Sequence, residues 1–168
     1  MNEVKAKIFL TLTLTLTLFK PMSSITVLVA DDQQKNRMTC LHLLRDEKKI
    51  HVVGEARNGL EVITSVAKLK PHILLLNFNL LKRKRIPFLQ TLRLSSPKTK
   101  VILLTRRARE TTLLKALSYG IRGYLRESLL TTFLPKMVHV VNNGEAWVPR
   151  KMVSKILDHL TNLTTHEE

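Results

Sequence analysis

Residues 25–32 read Ile-Thr-Val-Leu-Val-Ala-Asp-Asp. A short apolar run that ends abruptly at two carboxylates is typical of a buried strand whose carboxyl end opens on a polar edge. The pattern returns at 73–77, Ile-Leu-Leu-Leu-Asn, and at 101–105, Val-Ile-Leu-Leu-Thr. These runs predict strands that are covered on both faces of a sheet, because neither face alternates with polar residues.

Helical stretches separate these strands. Apolar residues recur at helical spacing between them, and weaker strands are predicted at 50–56 and 123–125. Five strand-helix units with short connections predict a parallel sheet with helices on both faces, joined by right-handed crossovers. Polar residues at the strand ends are Asp31, Asp32, Asn77, Thr105 and Glu127. Since ligand sites in such sheets lie beyond the carboxyl ends of the strands, we expect these residues to line one pocket.

The charge is concentrated in one stretch of the 168 residues. Residues 78–127 hold thirteen Lys and Arg against two Glu, so they account for +11 of the net charge of +15. A nucleic-acid footprint, an acidic protein partner and an unusual solvated face are each compatible with such a stretch.

Cysteine content and hydropathy exclude several classes of protein. The single Cys40 rules out a disulfide framework and a cysteine-based zinc site, and it favours a reducing compartment, for which we expect the cytoplasm. No run of about 18 apolar residues is present, so no membrane span is predicted. Cys40 itself is expected to be inert core.

The first 24 residues form a separate, low-complexity extension. Residues 8–19 alternate Thr with apolar residues, a pattern for a half-buried strand. We interpret the segment as an appendage, with translation starting at Met22 as one explanation. An export signal is the alternative, although no Ala-x-Ala-like cleavage site follows.

Several motifs together resemble a known family. They are the segments 27–32, 54–59, 71–77, 101–105 and 120–125, with Gly-Glu-Ala-Trp-Val-Pro at 144–149. In this order they resemble the receiver domains of bacterial two-component response regulators, and the NarL/FixJ subtype most closely. The resemblance implies a flavodoxin-like (βα)5 fold with a five-stranded parallel sheet over residues 25–145. Residues 146–168 would then form a linker-like C-terminal helix.

The resemblance also assigns roles to the strand-end residues. Two acidic residues hold Mg²⁺ in this family, and Asp31 and Asp32 match them, with Asn79 as a further ligand position. The family's phosphoacceptor Asp is replaced by Asn77. Thr105 matches the residue that binds a phosphoryl oxygen, and Tyr124 matches the switch aromatic.

Three features depart from the family pattern. Glu127 stands where the family has a Lys that pairs with the phosphoryl charge. Arg106 and Arg107 stand where a small residue usually leaves the pocket open, and the usual Pro-Gly turn is replaced by Lys82, Arg83, Lys84 and Arg85. Because an amide is a poor nucleophile toward phosphorus, we predict that phosphorylation is lost. The chain is predicted to have no catalytic residue, to be no enzyme and to need no cofactor beyond weak Mg²⁺ binding.

Two local interpretations stay open. We hypothesise that Arg106 lies over the pocket and neutralises Glu127; the alternative leaves both side chains in solvent, where such a pair contributes about 0–1 kcal/mol. Asp31 and Asp32 hold Mg²⁺ in one interpretation and cap the following helix in the other. Tyr124 is expected to pack between the last two helices.

The function predicted is that of a pseudo-receiver in phosphorelay signalling. It would bind a protein, acidic in character, through its fourth helix, fifth strand and fifth helix. The alternatives are a basic nucleic-acid-associated module or the remnant of a truncated transcriptional regulator. Sequence-specific DNA binding is not expected, because residues after Pro149 offer one helix and no helix-turn-helix. Aromatics make up only 5% of the chain, so stacking platforms are scarce. The oligomeric state is not indicated.

Overall fold

The computed structural model describes residues 24–81 and 85–164. Residues 1–23 and the cations Lys82, Arg83 and Lys84 lie outside the described residues, and so does the side chain of Arg85. The expectations for the N-terminal extension and for this basic loop therefore stay predictions.

Five strands form one parallel sheet in the described part of the chain. They are β1 (Ile25–Ala30), β2 (Ile50–Ala56), β3 (Ile73–Asn77), β4 (Lys100–Thr105) and β5 (Gly123–Arg126), in the spatial order β2-β1-β3-β4-β5. Every residue of β3 is buried, as its continuous apolar run predicted. The predicted five-stranded parallel sheet is confirmed.

Helices cover both faces of this sheet. They are α1 (Gln34–Arg45), α2 (Gly59–Leu69), α3 (Arg85–Ser95), α4 (Glu110–Ser118), α5 (Leu130–Asn142) and α6 (Arg150–Thr164). Val27 and Val29 pack in the core under α1 and α5, while Leu28 and Ala30 pack in the core under α2, α3 and α4. Successive side chains of a strand point to opposite faces, so one apolar run supplies both cores.

Strand register brings the polar strand ends together. Ala30 pairs with Leu76, Asn77 pairs with Leu104, and Thr105 pairs with Arg126. The residues that follow β1 and β5 and those that end β3 and β4 therefore meet at one edge of the sheet. Because β1 and β3 are neighbours, Asp31 and Asn77 lie side by side.

The segment after α5 packs back on the domain. The Trp147 N–H donates to the Arg122 carbonyl at 2.9 Å, and the Tyr124 N–H donates to the Trp147 carbonyl at 3.2 Å. A Cβ at Gly123 would lie 2.5 Å from the Trp147 oxygen, which explains why glycine is present there. Beyond this contact, Met152 of α6 is 2% exposed in the core shared with α4, and Lys155 pairs with Glu110.

Candidate functional site

Asn77 lies at the centre of the polar edge. Its side chain is buried, and its Nδ2 donates to Asp31 Oδ2 at 2.6 Å and to Glu127 Oε1 at 3.2 Å. Its Oδ1 accepts the backbone N–H of Asn79 at 2.8 Å. These contacts define the amide orientation, because a flipped amide would direct its oxygen at two carboxylates. The site is thus a carboxylate–amide–carboxylate bridge.

Asp31 makes the contacts at the start of α1 that the capping interpretation predicts. Its Oδ1 accepts the Gln33 N–H at 2.8 Å, just before α1 begins, and its Oδ2 also accepts from Asn36 Nδ2 at 3.1 Å. Burial raises the pKa of Asp31 above its usual 3.8, while the hydrogen bonds from Gln33 and Asn77 act in the opposite direction. Asp31 therefore anchors the start of α1 and faces the pocket at the same time.

Glu127 is held from two sides. Arg106 Nε lies 3.2 Å from Glu127 Oε2, so the ion pair hypothesised from the sequence, one of two interpretations left open, is present. The Glu127 side chain is 16% exposed, whereas that of Arg106 is 68% exposed. Arg106 thus lies at the rim of the pocket, and its solvent exposure limits the pair to about 0–1 kcal/mol.

Thr105 is the unsatisfied member of the site. Its Oγ1 is buried and has no hydrogen-bond partner among the described residues. It lines a cavity of about 510 Å³ together with Tyr124, Arg107 and Arg126. Tyr124 is half-buried in the core under α4, and its burial, followed by the Glu110 charge, raises its pKa. The Tyr124 side chain therefore packs against the core beside the cavity.

Asp32 and Asn79 lie apart from the bridge. Both are exposed and line an open groove between α2, α3 and the 3-10 turn Phe78–Leu81. The pocket thus brings together Asp31, Asn77, Thr105 and Glu127, with Asp32 and Asn79 at its margin.

The arrangement does not fit a Mg²⁺ ion. Mg²⁺ needs oxygen ligands directed at one point, but the amide N–H group of Asn77 occupies the space between Asp31 and Glu127. Across residues 24–81 and 85–164, no group of three or more His, Cys, Asp and Glu is placed to hold a metal ion.

Arg37 also supports the site, a role that was not predicted from the sequence. Arg37 is 6% exposed; its Nη1 donates to the Asp31 carbonyl at 2.9 Å, and its Nε pairs with Glu55 at 3.0 Å. The signal was available, since Arg37 precedes Cys40 and Leu44 at helical spacing and both of these are buried. Cys40 is buried as predicted, and its burial, followed by the charges of Asp31 and Glu127, raises its pKa to about 12.

The chain is similar to known proteins in sequence and in fold. A family model described as the response regulator receiver domain matches residues 27–138. The transcriptional regulatory protein LnrK of Bacillus subtilis is 26% identical over 134 residues, which are 80% of this chain and 61% of that protein. A protein-glutamate methylesterase/protein-glutamine glutaminase of Myxococcus xanthus is 32% identical over 109 residues, 65% of this chain and 31% of that protein. The chain therefore spans less than two thirds of each of these relatives.

A solved structure supports the fold. The two-component response regulator of the LuxR family from Aurantimonas superposes with a TM-score of 0.71 at 19% identity, covering 83% of this chain and 99% of that one. Within the described ranges, no helix is both long and apolar enough to cross a membrane.

Proposed function

Because this chain belongs to the response regulator receiver domain family of two-component phosphorelay signalling, with relatives of the NarL/LuxR type, we propose that it is a receiver that accepts no phosphoryl group. We propose further that it signals by binding a protein partner. The observation that carries this proposal is the Asn77 amide, bonded to two carboxylates at the phosphoacceptor position.

The chemistry of the bridge supports the loss of phosphorylation. Attack on phosphorus needs a carboxylate oxygen with a free lone pair, and an amide is a poor nucleophile. The Asn77 oxygen accepts a backbone N–H, and its nitrogen is engaged by Asp31 and Glu127. Glu127 would also repel an incoming phosphoryl group, since it carries the same sign of charge.

The bridge also favours a single conformation. Asn77 connects the ends of β1 and β3 to the 3-10 turn Glu127–Leu129 that follows β5, and Arg106 connects that turn to the loop after β4. Four segments of the chain are thus joined without any ligand. Binding in one state, rather than switching between two, is the behaviour we infer from this.

The proposed partner surface is basic. It is smaller than the face of the fourth helix, fifth strand and fifth helix that was predicted from the sequence. Residues of the 146–156 segment cover the edge of β5 and part of α4, so this part of the face is internal. Arg107, Arg109 and Arg126 are exposed beside it, and the nearby Glu110 is already paired with Lys155. An acidic protein surface complements these three cations, with salt-sensitive association as the consequence.

The response-regulator relatives also guide what we propose about the enzymatic activity and the cellular location of this chain. The matched part of the methylesterase is 31% of its length, so that relative's activity is not carried over to this chain. We propose that this receiver has no enzymatic activity of its own and works in the cytoplasm. We do not propose that it binds DNA in a sequence-specific manner.

Acetyl phosphate labelling tests the proposal. The wild-type chain is incubated with acetyl phosphate and Mg²⁺ and measured by intact mass, beside Asn77→Asp/Glu127→Lys and the matched Asn143→Asp, which changes an exposed amide. We expect no phosphoryl adduct on the wild type or on Asn143→Asp. An acid-stable or acid-labile adduct at residue 77 of the wild type would overturn the proposal.

A pull-down tests the second half of the proposal. We expect the wild type and Asn77→Asp/Glu127→Lys to retain the same partner when no phosphodonor is present. Arg107→Gln/Arg126→Gln should lose this partner, since it removes two exposed cations of the proposed surface. Retention of the partner by that variant would contradict the assignment of the face.

A further inference from the structure

A second cavity lies at the opposite edge of the sheet from Asn77. It has a volume of about 630 Å³ and lies between the last turns of α3 and α4, where β3, β4 and β5 begin. Its volume falls within the range of roughly 300–1,000 Å³ that is typical of small-molecule sites. None of the residues that position the Asn77 bridge takes part in it.

Arg93, Lys98 and Arg122 line this cavity, and no acidic residue does. None of the three forms an ion pair with any residue of the described ranges, although the chain has carboxylates elsewhere on its surface. Lys100 also lines the cavity, but its Nζ donates to the Asn142 carbonyl of α5 at 3.2 Å, so its ammonium lies at the opposite face of the sheet. Cations gathered around one concave surface without a counter-charge create a positive potential there.

Helix capping accounts for only one of these cations. Arg93 lies in the last turn of α3, where a positive charge interacts favourably with the helix dipole. Lys98 lies three residues beyond α3 and Arg122 four residues beyond α4, so neither stands in a last helical turn, where the helix dipole acts most strongly. The cluster therefore needs another explanation than helix stabilisation.

The floor of the cavity is apolar. Leu74, Leu92 and Ile121 are buried there, and Tyr119 lines one wall with its ring half-buried. An inorganic anion would use the cations but leave this floor uncovered. A molecule with a flat organic body and a phosphate group would use both, since apolar burial and charge pairing act on different parts of it.

We infer that this cavity binds a small phosphorylated organic molecule of nucleotide size, with its phosphate at Arg93, Lys98 and Arg122 and its ring system against Tyr119 and the apolar floor. The inference does not rest on the proposed loss of phosphorylation, because the two sites lie at opposite edges of the sheet. The binding of this molecule is non-covalent and requires no change in the Asn77 bridge.

Calorimetric titration of the full chain with ADP in a phosphate-free, low-salt buffer tests this inference. We expect saturable binding in the titration. In NMR spectra recorded with and without ADP, the amide resonances of Gly120 and Ile121 should shift. Lys98→Gln/Arg122→Gln should raise Kd at least about tenfold, which corresponds to about 1.4 kcal/mol. The matched Lys35→Gln/Arg57→Gln removes the same charge from exposed positions at the other edge, and its Kd should stay within about twofold of the wild type.

Two further probes define the ligand class. Adenosine and inorganic phosphate are each titrated alone, and both should bind much more weakly than ADP. Binding of adenosine as tight as that of ADP would overturn the role of the cations, and equally tight phosphate binding would overturn the role of the apolar floor. No binding of ADP to the wild type, or equal losses in the two double variants, would overturn the site itself.

Discussion

At the scale of single residues, the Asn77 amide stabilises two neighbouring carboxylates by hydrogen bonds, a role that a cation would otherwise fill by neutralising their charge. Two carboxylates, Asp31 and Glu127, face the same small space, and like charges in a partly buried site repel. The Asn77 amide supplies hydrogen-bond donors to both without adding charge. This explains how a Glu is tolerated at position 127, next to a buried Asp.

Replacing Asn77 tests the strength of this bridge. Asn77→Ala removes both donors and leaves the two carboxylates facing each other. Since hydrogen bonds to charged groups contribute about 1.5–3 kcal/mol each, we expect the loss of two such bonds to lower the free energy of unfolding in urea by about 3–6 kcal/mol. The exposed Gln90→Ala should change it by less than about 0.5 kcal/mol. A loss below about 1 kcal/mol for Asn77→Ala would show that the carboxylates do not depend on the amide.

A second substitution at position 77 tests whether the amide prevents Mg²⁺ binding at this site. Asn77→Asp places a third carboxylate against Asp31 and replaces the amide donors by oxygen ligands, which suit Mg²⁺. We expect 5 mM Mg²⁺, about a hundredfold above a Kd of about 50 μM, to stabilise this variant by about 2–3 kcal/mol through ligand linkage. The wild type should change by less than about 0.5 kcal/mol over the same range. Equal stabilisation of both proteins would contradict the role of the amide.

At the scale of elements, the C-terminal segment acts as an added layer. Trp147 extends the backbone hydrogen bonding of β5, and α6 places Met152 in the core beside α4. The adjoining strip of α6 carries Val153 and Leu157, which are 43% and 58% exposed. The described residues therefore cover only part of the apolar stripe of α6.

Hydrogen exchange tests whether this layer holds α4. Met152→Ser removes a side chain that is 2% exposed, so the contact between α6 and α4 should weaken. We expect amides of α4 and the Tyr124 N–H to exchange about tenfold faster, equivalent to about 1.4 kcal/mol in local opening. Val153→Ser at the exposed side should leave these amides unchanged. Unchanged exchange in Met152→Ser would mean that α6 contributes nothing to the stability of this face.

Much of the fold could be predicted from local pattern. Continuous apolar runs identify β1, β3 and β4, because a strand buried on both faces cannot contain polar alternation. The convergence of Asp31, Asn77 and Glu127 follows from strand order alone. The direction of the Asn77 amide and the return of Trp147 to β5 could not be predicted, since each depends on contacts between residues distant in the chain.

At the scale of the whole molecule, the two edges of the sheet have different electrostatics. The carboxyl edge holds Asp31 and Glu127 bridged by an amide, while the opposite edge gathers cations around an apolar cavity. The stretch 78–127, with its net charge of +11, contributes to both edges through the loops around β4 and β5. Much of the excess charge therefore flanks one part of the sheet.

Such a charge distribution predicts how salt acts on stability. The chain carries +15, and three ion pairs of Lys or Arg with Glu are formed among the described residues, each with a partner at least 40% exposed. Repulsion between unpaired cations should therefore outweigh attraction, and salt at 0.10–0.15 M screens repulsion between charges that lie more than about 8–10 Å apart. We expect the free energy of unfolding in urea to rise by about 1–2 kcal/mol between 10 and 200 mM NaCl. Arg107→Gln/Arg109→Gln should reduce this rise, because it removes two exposed cations from the basic stretch, and sucrose at matched osmolality should not reproduce it. A fall in stability with added NaCl would show instead that attractive pairs dominate the surface.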